Sequence, residues 1–288
     1  MTGEVRIYEM GPRDGLQNEA RIIPVGEKLR LIEALAGTGL SRIEIGSFVS
    51  PKWVPQMAGT AEIVAGVPHL DGLRYGVLVP NLKGFERYLD AAPEGFDGEI
   101  AVFVSATEGF SRANLNASID ESFQRVGAVV EAALAAGVPV RGYVSCVIQC
   151  PFDGEVAPGA VAAVVERLRA LAPMEVSLGD TIGAGDPKSV SRMLKAVLVV
   201  APAEALAGHF HDTGGRAVAN IEASVEAGLR VFDAAVGGLG GCPYAPGAPG
   251  NVATEAVAAR MEALGVETGI DRDALARAGE IALAMKAG

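Results

Sequence analysis

Two histidines separated by a single residue are the first feature of this chain that could do chemistry. His209 and His211 flank Phe210, and the whole chain holds only 3 histidines. On a β-strand, residues i and i+2 point to the same face, ~6.6 Å apart along the strand. Two imidazoles that converge in this way are suited to binding a divalent metal ion. The alternative is a polar strand end where both histidines contact water, and His69 is expected in a surface loop.

Asp14 and Asn251 are the side chains that could complete a metal site with oxygen ligands. A mixed set of imidazole, carboxylate and amide ligands suits Mg²⁺, Mn²⁺ or a similar ion better than a closed thiolate zinc site does. Each residue also has a structural alternative. Asn251 precedes a helical pattern that begins near Val252, so it could be the N-cap of that helix. Asp14 could instead fix the loop in which it lies.

Arg13 and Glu44 form a second pair of candidates. The guanidinium of Arg13 could stabilise an enolate or carboxylate oxygen, or it could form a salt bridge with Glu19. Glu44 lies between Ile43 and Ile45, so the alternation of a strand directs it to the opposite face, into the interior. A buried acid needs a partner, and Arg13 is the candidate.

Asp180 and Cys242 are candidates with weaker signals. Asp180 could orient a histidine or the substrate, or it could cap a turn. Cys242 lies at the centre of the segment 237–247, whose glycines allow a change of shape and whose prolines limit it, as in an active-site lid. Its thiol could transfer a proton, or it could be incidental in a structural loop.

These candidates follow short apolar runs that alternate with helical patterns. Eight runs are predicted as strands: 4–9, 42–46, 73–79, 98–105, 138–146, 174–177, 205–209 and 230–235. Alternating strands and helices indicate a parallel sheet, and eight such units in about 250 residues match a closed (β/α)8 TIM barrel. A doubly wound open sheet is the competing α/β fold, but no G-x-G-x-x-G motif follows the first strand. In a TIM barrel, catalytic groups lie at the carboxyl ends of the strands, as these candidates do.

The helical stretches carry recognisable end signals. Ser118 and Glu121 have the spacing of a capping box, and Asp186 followed by Pro187 is typical of an N-cap with proline in the first helical position. The stretch 271–287 is predicted to be a C-terminal helix added outside the barrel. No linker or low-complexity segment interrupts the pattern, so we predict one domain over residues 1–288.

Composition excludes several classes of protein. A net charge of −11 and a pI near 4.9 disfavour binding to nucleic acid or to anionic membranes, although a local arginine or metal could still bind an anionic substrate. The 3 cysteines are too few for a disulfide framework and fit a reducing compartment. No apolar run reaches the ~18 residues of a membrane span, and no signal peptide is visible. We therefore expect a cytoplasmic protein.

Over nearly its whole length the chain resembles the hydroxymethylglutaryl-CoA lyases, a family of the DRE-TIM metallolyase superfamily. The motifs that carry the resemblance are GPRDGLQNE at 11–19, SFVSPKWVPQM at 47–57, RGYVSC at 141–146, SLGDTIG at 177–183, GGCPYA at 240–245 and GNVATE at 250–255. Several long matches in the same order make the resemblance specific.

The resemblance implies retro-Claisen cleavage of (S)-3-hydroxy-3-methylglutaryl-CoA to acetyl-CoA and acetoacetate. The implied ligands of Mg²⁺ or Mn²⁺ are Asp14, His209, His211 and Asn251. The metal would bind the C3 hydroxyl and an acyl-chain oxygen of the substrate and lower the pKa of that hydroxyl. Arg13 would stabilise the enolate oxygen, and Cys242 and His209 are candidates for proton transfer. The identity of the general base is left open.

The resemblance also implies supporting roles and partners. Glu44 and Asp180 would position Arg13, the substrate or the metal ligands. The implied substrate-binding residues are Arg13, Gln17, Tyr143, Ser177 and Thr181. An acyl-CoA substrate and a homodimer are expected, since similar enzymes are often dimers.

The chain departs from the family at two positions near the histidines. Phe210 stands where a cysteine is common and should point outward, and Gly214 stands where a tyrosine is common and could loosen the loop. Two rival functions stay open. One is a related DRE-TIM lyase or aldolase that acts on another hydroxyacyl-CoA or a 2-oxo acid. The other is a binding protein without catalytic activity.

Overall fold

The computed structural model describes residues 3–242 and 245–287, apart from the side chains of residues 242, 245–249 and 287. Eight parallel strands close into a barrel. They are β1 (Arg6–Glu9), β2 (Arg42–Ser47), β3 (Arg74–Leu78), β4 (Gly98–Ser105), β5 (Val140–Ser145), β8 (Val176–Asp180), β9 (Leu206–Phe210) and β10 (Val231–Ala234). Neighbours in the barrel follow the order of the chain, and β1 closes the ring by pairing with both β2 and β10. The predicted (β/α)8 barrel and its eight strands are confirmed, and the doubly wound alternative is wrong.

Helices surround the barrel. They are α1 (Val25–Ala36), α2 (Thr60–Gly66), α3 (Leu82–Ala91), α4 (Glu108–Leu115), α5 (Ile119–Ala135), α6 (Pro158–Leu171), α7 (Pro187–Val197), α8 (Ala217–Glu226), α9 (Thr254–Ala263) and α10 (Arg272–Ala287). The capping box of Ser118 and Glu121 is present at the start of α5, and Asp186 caps α7. Helix α10 confirms the predicted C-terminal addition and contacts α1. None of the described helices combines the length and apolar character needed to cross a membrane.

Two short hairpins lie in the loops that follow barrel strands. The first, β6 (Gln149–Cys150) with β7 (Gly154–Glu155), follows β5. The second, β11 (Gly241–Cys242) with β12 (Ala245–Pro249), follows β10 and occupies the glycine- and proline-rich segment. Part of that segment is therefore paired as strands, and its action as a lid stays a prediction.

The strands separate two layers of different chemistry. Ile43 and Ile45 of β2 are fully buried in the apolar layer between strands and helices. Glu44 between them is also fully buried but bonds to Arg13 and Tyr143, so it faces the barrel interior as predicted. Alternation along β2 thus places two apolar side chains outside the barrel and an acidic side chain inside it.

Candidate active site

Three potential metal ligands converge at the carboxyl ends of the strands. The ligand atoms of Asp14, His209 and His211 all lie within 4.8 Å of one another. The two imidazole rings project from β9 and its end with their centroids 5.2 Å apart, as the i, i+2 spacing predicts. Asp14 lies in a π-helical turn, Gly11–Gly15, directly after β1. Because the barrel is closed, only β10 lies between β1 and β9. This order brings the carboxylate of Asp14 close to the two histidines.

Asn251 joins this cluster. Its side-chain amide donates a hydrogen bond to Oδ2 of Asp14 (2.8 Å), and its backbone forms a β-bridge with His211. Helix α9 begins at Thr254 and its N-cap is Ala253, so the alternative that Asn251 caps the helix is wrong. Gly240 approaches closely: its φ is +103°, and a Cβ there would lie 2.9 Å from Nδ2 of Asn251. Only glycine suits this position.

The cluster fits a divalent cation. Burial alone raises the pKa of Asp14, but Arg13 and the two histidines lower it to about 2, so the carboxylate is ionised. Burial and the neighbouring His209 lower the pKa of His211 to about 4, so its ring is neutral near pH 7. Among the described residues, Nδ1 of His211 is buried without a hydrogen-bond partner. Ionised carboxylates and neutral imidazoles are the forms that bind metal, and the mixed donor set suits Mg²⁺ or Mn²⁺.

Arg13 is fixed beside the cluster by two acids. Its Nη1 donates to Oδ1 of Asp14 (2.5 Å), and its Nε donates to Oε2 of Glu44. The predicted pairing with Glu44 is confirmed, and the alternative salt bridge to Glu19 is wrong. Burial lowers the pKa of the guanidinium, but Glu44 and Asp14 outweigh burial and raise it, so Arg13 stays charged. Burial raises the pKa of Glu44 despite this partner.

Comparison with known proteins gives the family. The model of the HMGL-like family matches residues 4–281. The chain belongs to the HMGL-like family. It is 54% identical over 275 residues to the hydroxymethylglutaryl-CoA lyase of Pseudomonas mevalonii, covering 96% of this chain and 90% of that protein. It is 53% identical over 277 residues to the 3-hydroxy-3-isohexenylglutaryl-CoA/hydroxymethylglutaryl-CoA lyase of Pseudomonas aeruginosa, covering 96% of this chain and 91% of that protein.

Solved structures agree with this assignment. The HMG-CoA lyase of Brucella melitensis superposes with a TM-score of 0.96 at 56% identity, over 100% of both chains. The HMG-CoA lyase of Acinetobacter baumannii, solved with coenzyme A and 3-methylmalate, has a TM-score of 0.93 at 37% identity and covers 100% of this chain and 93% of that chain. The resemblance found in the sequence motifs is thereby confirmed.

Within this HMGL-like barrel, two residues expected to bind substrate contact buried acids. The hydroxyl of Tyr143 lies 3.1 Å from Oε1 of Glu44 and donates to it. The hydroxyl of Ser177 donates to Oδ2 of Asp233 (2.7 Å). Asp233 was not singled out in the sequence, although it stands between Phe232 and Ala234 in an otherwise apolar strand. The alternation that placed Glu44 inside the barrel would have placed Asp233 there as well.

The other expected site residues have different surroundings. Asp180 accepts from the backbone N–H groups of Ala184 (3.2 Å) and Gly185 (2.7 Å), so it caps the turn after β8, the structural alternative considered for it. Burial raises its pKa in spite of these hydrogen bonds. Thr181 accepts from the backbone N–H of Cys146 (2.9 Å), which joins the loops after β5 and β8.

Three further expectations concern Gln17, Phe210 and Cys242. Gln17 is half-buried in the turn after Asp14. Phe210 is buried in the apolar outer layer, so it points away from the histidines as predicted. The backbone of Cys242 lies in β11, but its side chain is outside the described part of the chain, so its proposed role stays a prediction.

Glu9 is a second buried acid that sequence reasoning missed. Oε1 accepts from the backbone N–H groups of Gly11 (2.7 Å) and Val236 (2.8 Å), and Oε2 accepts from the hydroxyl of Thr254 (2.6 Å). It thereby ties the turn that carries Asp14 to the segments on either side of the β11–β12 hairpin. Burial raises the pKa of Glu9 to about 7, despite these three donors.

Proposed function

We propose that this chain is a hydroxymethylglutaryl-CoA lyase, a carbon–carbon lyase that cleaves (S)-3-hydroxy-3-methylglutaryl-CoA to acetyl-CoA and acetoacetate with a divalent metal ion. The observation that carries the proposal is the contact between Arg13 and Asp14. It places a fixed positive charge next to the two histidines that could bind a metal. The close relatives named as this lyase support the choice of substrate.

The residues that would hold Mg²⁺ or Mn²⁺ are Asp14, His209, His211 and Asn251. When bound, the metal supplies Lewis acidity to oxygens of the substrate. Arg13 is held by two carboxylates on the same rim, so its guanidinium needs no reorganisation when negative charge develops on the thioester oxygen. Glu44 keeps Arg13 oriented from inside the barrel, where Tyr143 in turn holds Glu44.

The reaction requires two proton transfers. A base removes the proton of the C3 hydroxyl, the C2–C3 bond breaks, and its electron pair passes to C2 to form the thioester enolate. Protonation of C2 then gives acetyl-CoA, and C3 becomes the ketone carbon of acetoacetate. Cys242 is the group that we assign to one of these transfers, and the group that performs the other is left open.

Further parts of the proposal concern substrate and assembly. Gln17, Tyr143, Ser177 and Thr181 are assigned to the substrate-binding surface, with Asp180 fixing the loop that carries Thr181. An acyl-CoA substrate is supported by the Acinetobacter baumannii relative, which was solved with coenzyme A. We retain a homodimer as a prediction, because similar enzymes are often dimers. A cytoplasmic location also stays a prediction, and the bacterial relatives support it.

An acetoacetate assay with and without EDTA tests the proposal. Activity on (S)-3-hydroxy-3-methylglutaryl-CoA should disappear with EDTA and return with Mg²⁺ or Mn²⁺. The Arg13→Met variant should lower kcat by about 100- to 1000-fold, the usual cost of one group that stabilises a developing oxyanion. Turnover of 3-hydroxy-3-isohexenylglutaryl-CoA alone, or of a 2-oxo acid alone, would reject the assigned substrate. Turnover that is indifferent to EDTA would reject the metal.

A further inference from the structure

Asp233 is a buried acid with a full set of donors around it. Oδ1 accepts from Nη2 of Arg141 (2.7 Å). Oδ2 accepts from Nη1 of Arg141 (3.2 Å) and from the hydroxyl of Ser177 (2.7 Å), and it lies 3.1 Å from Nδ1 of His209. The side chain is fully buried, so water does not replace any of these contacts. Because the guanidinium of Arg141 donates to both oxygens, the carboxyl group of Asp233 stays ionised.

An ionised carboxylate decides the state of the neighbouring imidazole. It can only accept hydrogen bonds, so Nδ1 of His209 must carry the proton of their shared contact. In the neutral ring, Nε2 is then left with its lone pair free. His209 is also one of the three residues whose ligand atoms converge, and only its second nitrogen is available for that task.

Arg141 fixes Asp233 inside the barrel, and several other residues contact Arg141 in turn. It is fully buried, its Nε donates to Oε1 of Glu175 (2.8 Å), and its guanidinium carbon lies 4.6 Å from the ring centre of Tyr8. Nη1 also donates to the hydroxyl of Tyr143 (2.7 Å), which continues to Glu44. One guanidinium therefore anchors both the histidine side and the arginine side of the site.

We propose that Asp233 is a positioning residue that holds His209 as the Nδ1–H tautomer, presenting Nε2 to a divalent cation, and that Arg141 fixes Asp233 for this purpose. The cation-binding part rests on the proposed function. The tautomer is a property of the protein alone, which allows the two to be tested apart. Partners of metal-binding histidines commonly set the tautomer and the direction of the ring in this way.

The tautomer can be read by ¹⁵N NMR of metal-free protein labelled at its histidines, at alkaline pH where the rings are neutral. With only 3 histidines in the chain, a His209→Asn variant assigns the signal of interest. The wild type should show protonated Nδ1 and unprotonated Nε2 for His209. Protonated Nε2 in the wild type would overturn the proposal, and this measurement requires no folded variant of Asp233.

A Mn²⁺ titration followed by EPR tests the consequence for the cation. Asp233→Asn should weaken Mn²⁺ binding by about 10- to 100-fold and mix the two tautomers of His209. Glu175→Gln is the matched control, because it cuts an ion pair of the same Arg141 without contacting His209. The control should lose thermal stability but keep wild-type Mn²⁺ affinity and the wild-type tautomer.

Two outcomes would show that Asp233 is merely structural. One is an Asp233→Asn protein with unchanged tautomer and unchanged Mn²⁺ affinity, and the other is an equal loss of affinity in the Glu175→Gln control. A wild-type protein with the expected tautomer and Mn²⁺ affinity but without activity on hydroxymethylglutaryl-CoA would reject the assigned reaction and leave the role of Asp233 standing.

Discussion

The inside of this barrel and the layer around it use the same strands but depend on different physics. Outside, residues such as Ile43 and Ile45 pack against helices, and dispersion and the hydrophobic effect act without regard to direction. Inside, Glu44, Arg141 and Asp233 are each buried against charged partners. Removing one partner of a buried ion pair is strongly destabilising, because the other charge is left buried and unpaired. The inner layer is therefore specific and fragile, and the outer layer is tolerant.

The largest effect is expected from breaking the inner layer at Arg141. Arg141→Met leaves Asp233 and Glu175 without their shared guanidinium and should lower the free energy of unfolding by about 3–5 kcal/mol. Urea unfolding measures the loss. Arg74→Met is the matched control, because its ion pair with Asp97 is exposed to solvent and should be worth less than about 1 kcal/mol. Similar losses in both variants would contradict the contrast between the layers.

A smaller and pH-dependent effect is expected at Glu9, a buried acid that lies in the outer layer and not inside the barrel. Glu9 alternates with Tyr8 and Met10, which lie inside the barrel, so it faces the outer layer, and its partners are uncharged donors. Its pKa rises from 4.5 to about 7 on burial. A raised pKa contributes stability below pH 4.5, and that contribution is lost as the pH rises to about 7.

Glu9→Gln should remove this dependence. Relative to the variant, the wild type should lose up to about 3 kcal/mol of unfolding free energy between pH 4.5 and pH 7. Urea unfolding at a series of pH values measures the difference. Glu4→Gln alters an exposed acid next to the same strand, and its profile should follow the wild type. A difference between wild type and Glu9→Gln that is flat with pH would mean that Glu9 stays ionised throughout.

The smallest effect is expected from trimming the outer layer. Ile45→Val removes one methylene group from a fully buried side chain and should cost about 0.5–1.5 kcal/mol of unfolding free energy. Acetoacetate production should be unchanged, because Ile45 faces away from the site. A large loss of activity in a folded Ile45→Val protein would show that the two layers are coupled more tightly than their contacts indicate.

Local pattern in the sequence was sufficient for the elements and for part of the site. Alternation of strands and helices predicted the barrel, and spacing along one strand predicted that His209 and His211 converge. Both predictions depend on how often side chains return to the same face of a helix or strand. A short stretch of sequence is enough to show this repeat. The same period placed Glu44 inside the barrel. No local pattern could decide whether Asn251 is a metal ligand or the N-cap of a helix. The family motifs favoured the metal ligand.

Only the tertiary structure decided which partners the buried charges have. Arg141 and Asp233 are 92 residues apart in the chain, and Asn251 and Asp14 are 237 apart, yet barrel closure brings each pair into hydrogen-bond contact. The partner of a buried charge depends on strand order and register, which no local period encodes. For the same reason the sequence left open whether Asp180 caps a turn, as it does, and it did not single out Asp233, which contacts a histidine of the site.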